Sequence, residues 1–266
     1  MSSSLRVSLV QAASTLDPAE NRELLAKTAA EVPDGTDLMV WPEAFARDFG
    51  KAGSDVSGAA ETVWGADAGD GPFAGAVAQL AAERRATVVA GMFETSDDPG
   101  RPWNTLAVAG PDGERASYRK IHLYDSFGYR ESDRLSPGGT TPVTVEVGGF
   151  TLGLMTCYDL RFPEHARMLV DAGSEVLVLP AAWLAGPGKL HHWRTLLTAR
   201  AIENTVFVVA AAQPAPRYTG HSLALDPMGR VLGEAGDDAG RVDVVLERSV
   251  LAEARETNPS LANRRL

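Results

Sequence analysis

The chain alternates short β-type apolar runs with amphipathic stretches at helical spacing, and this alternation constrains its fold more than any other feature. Residues 5–12 (LRVSLVQA) and 37–41 (DLMVW) read as strands, and residues 18–32 between them read as a helix with Leu24, Leu25, Thr28 and Val32 on one face. A second helix opens at Pro72, with Phe73, Val77, Leu80 and Ala81 on its buried side; proline suits a first turn because its missing N–H has no partner there anyway. A third runs from Pro163 to Gly173, and a fourth over 191–204 carries Trp193, Leu196, Leu197 and Ala201 on one face. Further strands are expected at 87–94, 104–109, 114–119, 143–147, 150–157, 176–183, 205–213 and 241–247, and 221–229 reads as a strand with its turn. The Pro-Asp-Gly turn at 111–113 predicts antiparallel pairing of its flanking strands. Residues 121–141 read as irregular, the sort of long loop that tends to carry function. No composition shift divides the chain, so the reading is one α/β domain over residues 1–266 with helices packed outside the sheets.

Charge and cysteine content exclude several function classes. Thirty-five acidic residues against 25 Lys plus Arg give a formal charge of −10, which repels phosphate backbones and anionic membrane surfaces. No nucleic-acid or membrane partner is therefore expected. No apolar run approaches the ~18 residues of a membrane span, and the start MSSSLRVSLVQAAS reads as neither leader nor anchor. A single cysteine makes no internal disulfide, and the expected location is cytoplasmic.

Three reactive side chains sit at the ends of predicted strands. Cys157 ends the run FTLGLMT, where a buried strand turns toward a helix, and Asp159, Arg161 and Glu164 crowd the positions after it. A lone cysteine is ordinarily a small buried hydrophobe, but that charged company is poor for a core plug. Glu43 follows LMVWP and Lys120 ends ERASYRK; each alone would pass for a solvated strand end. Glu131 lies in the irregular loop. His122, His191, His192 and His221 lack zinc-ligand spacing, and the cysteine has no second cysteine to join it, so no metal site is expected. GHSLA (220–224) misses the serine-hydrolase elbow by its last glycine, and no histidine follows His221. GDGPFAG (69–75) misses the dinucleotide fingerprint by one residue.

WPEAF (41–45), YRKIHLYD (118–125) and TCYDLRFPE (156–164), in that order and spacing, resemble the nitrilase superfamily of carbon–nitrogen hydrolases. NTLAV, the loop ES before SPGG, HHWRTLLTARAIEN, GHSLALDPMG and NPSLANRR extend the resemblance over nearly the whole chain. It implies a four-layer α-β-β-α sandwich, no metal or organic cofactor, and pairing of subunits into a homodimer through the helices near 163–173 and 191–204 and the C-terminal NPSLANRR. It also implies that Cys157 is the nucleophile, Glu43 the general base, Lys120 the oxyanion stabiliser together with the Tyr158 N–H, and Glu131 a supporting carboxylate.

The implied activity is a cysteine-dependent amidohydrolase that cleaves a small non-peptide amide through a thioester and releases ammonia. CYDLRFPE resembles the branch containing omega-amidase and deaminated-glutathione amidase, where true nitrilases tend to place Trp and Glu after the cysteine. A free carboxylate on such a substrate needs cationic or hydrogen-bonding partners, and Arg161, Arg130, Tyr129 and Tyr158 are the substrate-binding candidates by position. An N-carbamoyl amino-acid hydrolase or aliphatic nitrilase would use the same four catalytic residues; a silent scaffold on this fold would be expected to have lost at least one. An activated Cys157 should alkylate quickly, and Glu43→Gln or Lys120→Ala should slow it.

Overall fold

The computed structural model describes residues 3–65 and 69–265; Met1 and Ser2, at the start of the segment read as neither leader nor anchor, and Leu266 lie outside them. In chain order the elements are β1 (Ser4–Gln11), α1 (Pro18–Ala30), β2 (Leu38–Val40), α2 (Pro72–Arg84), β3 (Thr87–Glu94), β4 (Trp103–Ala109) and β5 (Arg115–Arg119). The two-residue strands β6 (Asp125–Ser126) and β7 (Tyr129–Arg130) follow, then β8 (Thr144–Val147), β9 (Phe150–Leu154), α3 (Pro163–Asp171) and β10 (Val176–Ala181). The chain continues with α4 (Lys189–Asn204), β11 (Phe207–Ala212), β12 (Leu223–Leu225), β13 (Val231–Glu234), β14 (Gly240–Glu247) and α5 (Arg248–Thr257).

Two six-stranded sheets result, ordered β14-β1-β2-β3-β4-β5 and β13-β12-β11-β10-β9-β8. Three apolar layers define how they stack. Leu5, Val7, Leu9 and Val89 of the first sheet meet Phe150, Leu152, Val178 and Val209 of the second. Leu25 and Ala29 of α1 and Phe73 and Val77 of α2 cover the outer side of the first sheet with Met39, Val88 and Ala90. Leu169, Trp193 and Leu197 of α3 and α4 cover the second with Leu177, Val208 and Ala210. The order helix, sheet, sheet, helix is an α-β-β-α sandwich. It explains why every residue of β3 and β10 is buried: both faces of those strands are covered, so their sequence runs apolar without alternating.

Proline stands at the start of α1, α2 and α3, and β4 and β5 pair antiparallel across residues 111–113, as expected. The structure corrects two boundaries. The strand read over 150–157 ends at Leu154; Cys157 begins a short 3₁₀ turn to Arg161 and has a φ of 45°. The loop 121–141 holds the small β6–β7 hairpin and a 3₁₀ turn at Glu131–Asp133. Helix α5 was not anticipated, because only Leu251 and Ala254 of it are buried. No helix among the described residues is long and apolar enough to cross a membrane.

Candidate active site

Glu43 leaves the end of β2 on a loop stitched to β3. The Gly91 N–H donates to the Pro42 carbonyl at 3.1 Å and the Ala46 N–H donates to the Gly91 carbonyl at 2.9 Å. Only glycine permits this approach, since a Cβ at residue 91 would stand 2.5 Å from the Ala44 nitrogen and 2.6 Å from the Glu43 Cα. Across the sandwich, the Gln213 side chain donates to the Glu43 carbonyl at 3.0 Å, and the Ala182 N–H, just past β10, donates to Glu43 Oε2 at 2.7 Å.

Lys120 follows β5 directly and is held by its own backbone, its N–H donating to the Asn104 carbonyl and its carbonyl accepting from Gly138, both at 2.8 Å. The Lys120 ammonium, 2% exposed, donates to Glu43 Oε1 and Glu131 Oε2, each at 2.9 Å. The Asn104 amide donates to Glu43 Oε1 at 2.8 Å, and Glu131 is oriented by the Tyr124 N–H. Burial alone would lower the Lys120 pKa, but the flanking carboxylates of Glu131 and Glu43 outweigh it and hold the pKa well above that of a free lysine. Burial raises the Glu131 pKa, with Lys120 opposing and Glu43 assisting.

Cys157 is buried at the head of its turn and lines the same cavity as Glu43 and Lys120. Burial, then the negative charge of Glu43, push its thiol pKa up, while Lys120 pulls the other way. The thiol therefore rests protonated, beside a carboxylate placed to take the proton.

Asp159, two residues on, is fully buried and joins the cysteine turn to the lysine segment. It accepts the Tyr118 hydroxyl at 2.6 Å, the Thr156 N–H at 2.9 Å and the His122 N–H at 3.1 Å, and its Oδ1 lies 2.7 Å from His122 Nδ1. These bonds outweigh burial and keep its pKa below that of a free carboxyl. His122, Asp159 and His165 place ligand-type atoms within 4.8 Å of one another, the one such group among the described residues. The carboxylate is already taken up by protein donors.

A cavity of about 230 Å³ opens over Cys157. Glu43, Lys120, Glu131, Tyr129, Tyr158 and Arg161 all line it, so seven of the eight residues expected from sequence, Cys157 included, converge. Arg130 does not. Its side chain is 70% exposed and faces Asp133 at 3.6 Å, because neighbouring residues of an extended strand point to opposite sides and Tyr129 takes the inward one. Tyr124, Trp183, Lys189, Arg217 and Tyr218 also line the cavity and were not singled out from sequence. Of these only Tyr124 carried a signal, its place in YRKIHLYD.

The thiol, ammonium and carboxylates thus line one cavity of the α-β-β-α sandwich. Residues 6–256 match the carbon–nitrogen hydrolase family model, and the chain belongs to that family. A deaminated glutathione amidase from Escherichia coli O157:H7 is 37% identical over 248 residues, which cover 92% of each chain. A superfamily protein from Xanthomonas campestris, solved with an arsenic adduct in its active site, superposes with a TM-score of 0.87 at 29% identity over 99% of this chain and 98% of its own. A variant amidase from Nesterenkonia sp. AN1, solved with acrylamide, gives 0.82 at 27% identity over 99% and 95%. The protein is a carbon–nitrogen hydrolase acting on amides.

Proposed function

We propose that the chain is a cysteine amidohydrolase that releases ammonia from a small carboxylate-bearing amide, in the manner of omega-amidase or deaminated-glutathione amidase. The observation that carries this reading is that Cys157 shares one cavity with Glu43, Lys120 and Glu131, with the Lys120 ammonium held at 2.9 Å from both carboxylates. In this reading the sulfur attacks the amide carbonyl as Glu43 takes the thiol proton. Lys120 and the Tyr158 N–H receive the oxyanion, with Glu131 keeping the ammonium in place. Glu43 returns the proton to the departing nitrogen, the C–N bond breaks, and ammonia leaves a thioester on Cys157. Glu43 then takes a proton from water as its oxygen attacks, and the acid departs with the thiol restored.

The sequence similarity to a deaminated glutathione amidase supports amide over nitrile substrates. Met168 on α3 and Ile202 on α4, 41% and 42% exposed, support pairing of two copies through those helices. A cytoplasmic location completes the reading. The test is ammonia release from succinamate, alpha-ketoglutaramate, deaminated glutathione, an N-carbamoyl amino acid and a simple nitrile, with Cys157→Ala as control. Turnover of one of the first three that disappears in Cys157→Ala is expected. Turnover confined to the carbamoyl compound or the nitrile would overturn the substrate class, and turnover that survives Cys157→Ala would overturn the mechanism.

A further inference from the structure

The cavity over Cys157 has a cationic wall in which two of the charges, Arg161 and Lys189, have no ion-pair partner among the described residues. Lys51, Arg161, Lys189 and Arg217 line it in addition to Lys120, in a chain whose overall charge is −10. The two lining carboxylates, Glu43 and Glu131, are committed to Lys120, and Arg217 pairs with Asp48 at 2.9 Å. Arg161 and Lys189 make no ion pair among the described residues.

Both are nonetheless held in place. Lys189 opens α4, is 8% exposed, and has its carbonyl fixed by the Trp183 indole N–H at 3.0 Å. Its ammonium donates to the Tyr124 hydroxyl at 2.9 Å and sits 3.6 Å over the Phe127 ring. The Arg161 guanidinium lies 4.8 Å from the centre of the Trp183 ring, and its Nε is buried without a partner. Burial and the neighbouring charge of Arg161 pull the Lys189 pKa down, with Cys157 pulling the other way. Such an arrangement costs stability unless an anion completes it.

We infer that Lys189 is the specificity-determining residue of this site: with Arg161 it grips a carboxylate at the far end of the acyl chain whose carbonyl carbon Cys157 attacks. The inference rests on the amide-hydrolase reading above and replaces Arg130 by Lys189 as the second cation. Tyr124 ties the two ends of the site together, since its hydroxyl takes the Lys189 proton bond and its backbone N–H holds Glu131.

The test needs no knowledge of the natural substrate. The intact chain is treated with a chloromethyl ketone whose carbon chain ends in a carboxylate, and separately with the same ketone ending in methyl. In each case the Cys157 sulfur displaces chloride, and the thiol proton is lost to Glu43 or water. The carboxylate-ended reagent is expected to label Cys157 faster by about tenfold or more, the scale of electrostatic capture by paired cations. In Lys189→Met that ratio should collapse toward one, and Lys189→Arg should restore it. Each reagent controls for the other, so a general loss of folding would lower both rates without changing the ratio. Equal labelling of the wild-type chain by the two reagents, or a ratio that survives Lys189→Met, would overturn the assignment. Labelling of Cys157 by neither reagent would instead overturn the reading of the cavity as a reactive amide site.

Discussion

The Tyr118 hydroxyl donates to Asp159 at 2.6 Å, fastening the strand that delivers Lys120 to the turn that delivers Cys157. His122, on the other side of Lys120, binds the same carboxylate through its N–H and its ring. Lys120 is thus bracketed by two residues that both hold one buried anion.

Tyr118→Phe removes one hydrogen bond to that anion and leaves the ring in place. Denaturant unfolding should show a loss of about 1.5–3 kcal/mol, the usual worth of a hydrogen bond to a charged group. Amide turnover should fall as well, because Lys120 and Cys157 lose their shared anchor. An unchanged midpoint would mean that Asp159 does not depend on Tyr118.

Thiol labelling by iodoacetamide should follow the charges around Cys157. In the wild-type chain the rate should keep climbing above the ordinary thiol range of ~8.5, because burial and Glu43 hold the pKa up. Glu43→Gln removes the negative neighbour, so its labelling profile should shift to lower pH. Lys120→Met removes the positive neighbour and should shift it to higher pH. This differs from the expectation from sequence that Glu43→Gln slows labelling, and the direction of the shift distinguishes the two. Turnover should still fall by about a hundredfold or more in Glu43→Gln, since the general base is gone. A profile that moves upward in Glu43→Gln would contradict this electrostatic account.

Gly91→Ala and Gly75→Ala should act in opposite directions. The first drives a methyl group to 2.5 Å from the Ala44 backbone and displaces Glu43, so both the melting temperature and kcat should drop. At Gly75, inside α2, an added Cβ meets nothing within 4 Å. That exchange should raise stability by about 0.5–1 kcal/mol, the entropic cost that glycine carries in a helix, with activity intact. Wild-type kcat in Gly91→Ala would show that the loop of Glu43 yields more easily than its packing indicates.

His165 is buried with both ring nitrogens unpartnered, stacked 5.7 Å from Tyr118 and facing Asp159, His122 and Glu164. Burial lowers its pKa below the ordinary 6.5, against the pull of Asp159. The unfolded chain therefore binds this proton first, and the stability His165 allows above about pH 6.5 is lost as pH falls toward the folded-state value. His165→Leu should flatten that acid branch when unfolding is compared at about pH 7.5 and about pH 5.5. An acid branch of the same steepness in His165→Leu would place the titration elsewhere.

Much of this was legible in the sequence where chemistry is local. Prolines at the first turns placed α1, α2 and α3, and Glu43, Lys120 and Cys157, weak signals singly, were marked together by the family-like segments WPEAF, YRKIHLYD and TCYDLRFPE that hold them. The end of β9 was misread because Met155 and Cys157 remain buried after the backbone has left the strand, so apolarity outruns pairing. Arg130 was misread because nearness along the chain does not fix the face. Lys189 and the Ala182 N–H were out of reach for another reason: the latter meets Glu43 from 139 residues away, through the stacking of two sheets rather than any pattern along one.

That stacking has a consequence for when the chemistry exists at all. Glu43 and Lys120 ride on the sheet that holds β1 to β5 and is completed by the last strand, β14, and Cys157 and Ala182 on the one made of β8 to β13. A chain emerging from synthesis carries its base and its ammonium well before its sulfur. Neither half can attack an amide until the second sheet closes on the first, so reactivity is switched on by completion of the fold. Fraying of either sheet separates the sulfur from its base and switches it off again.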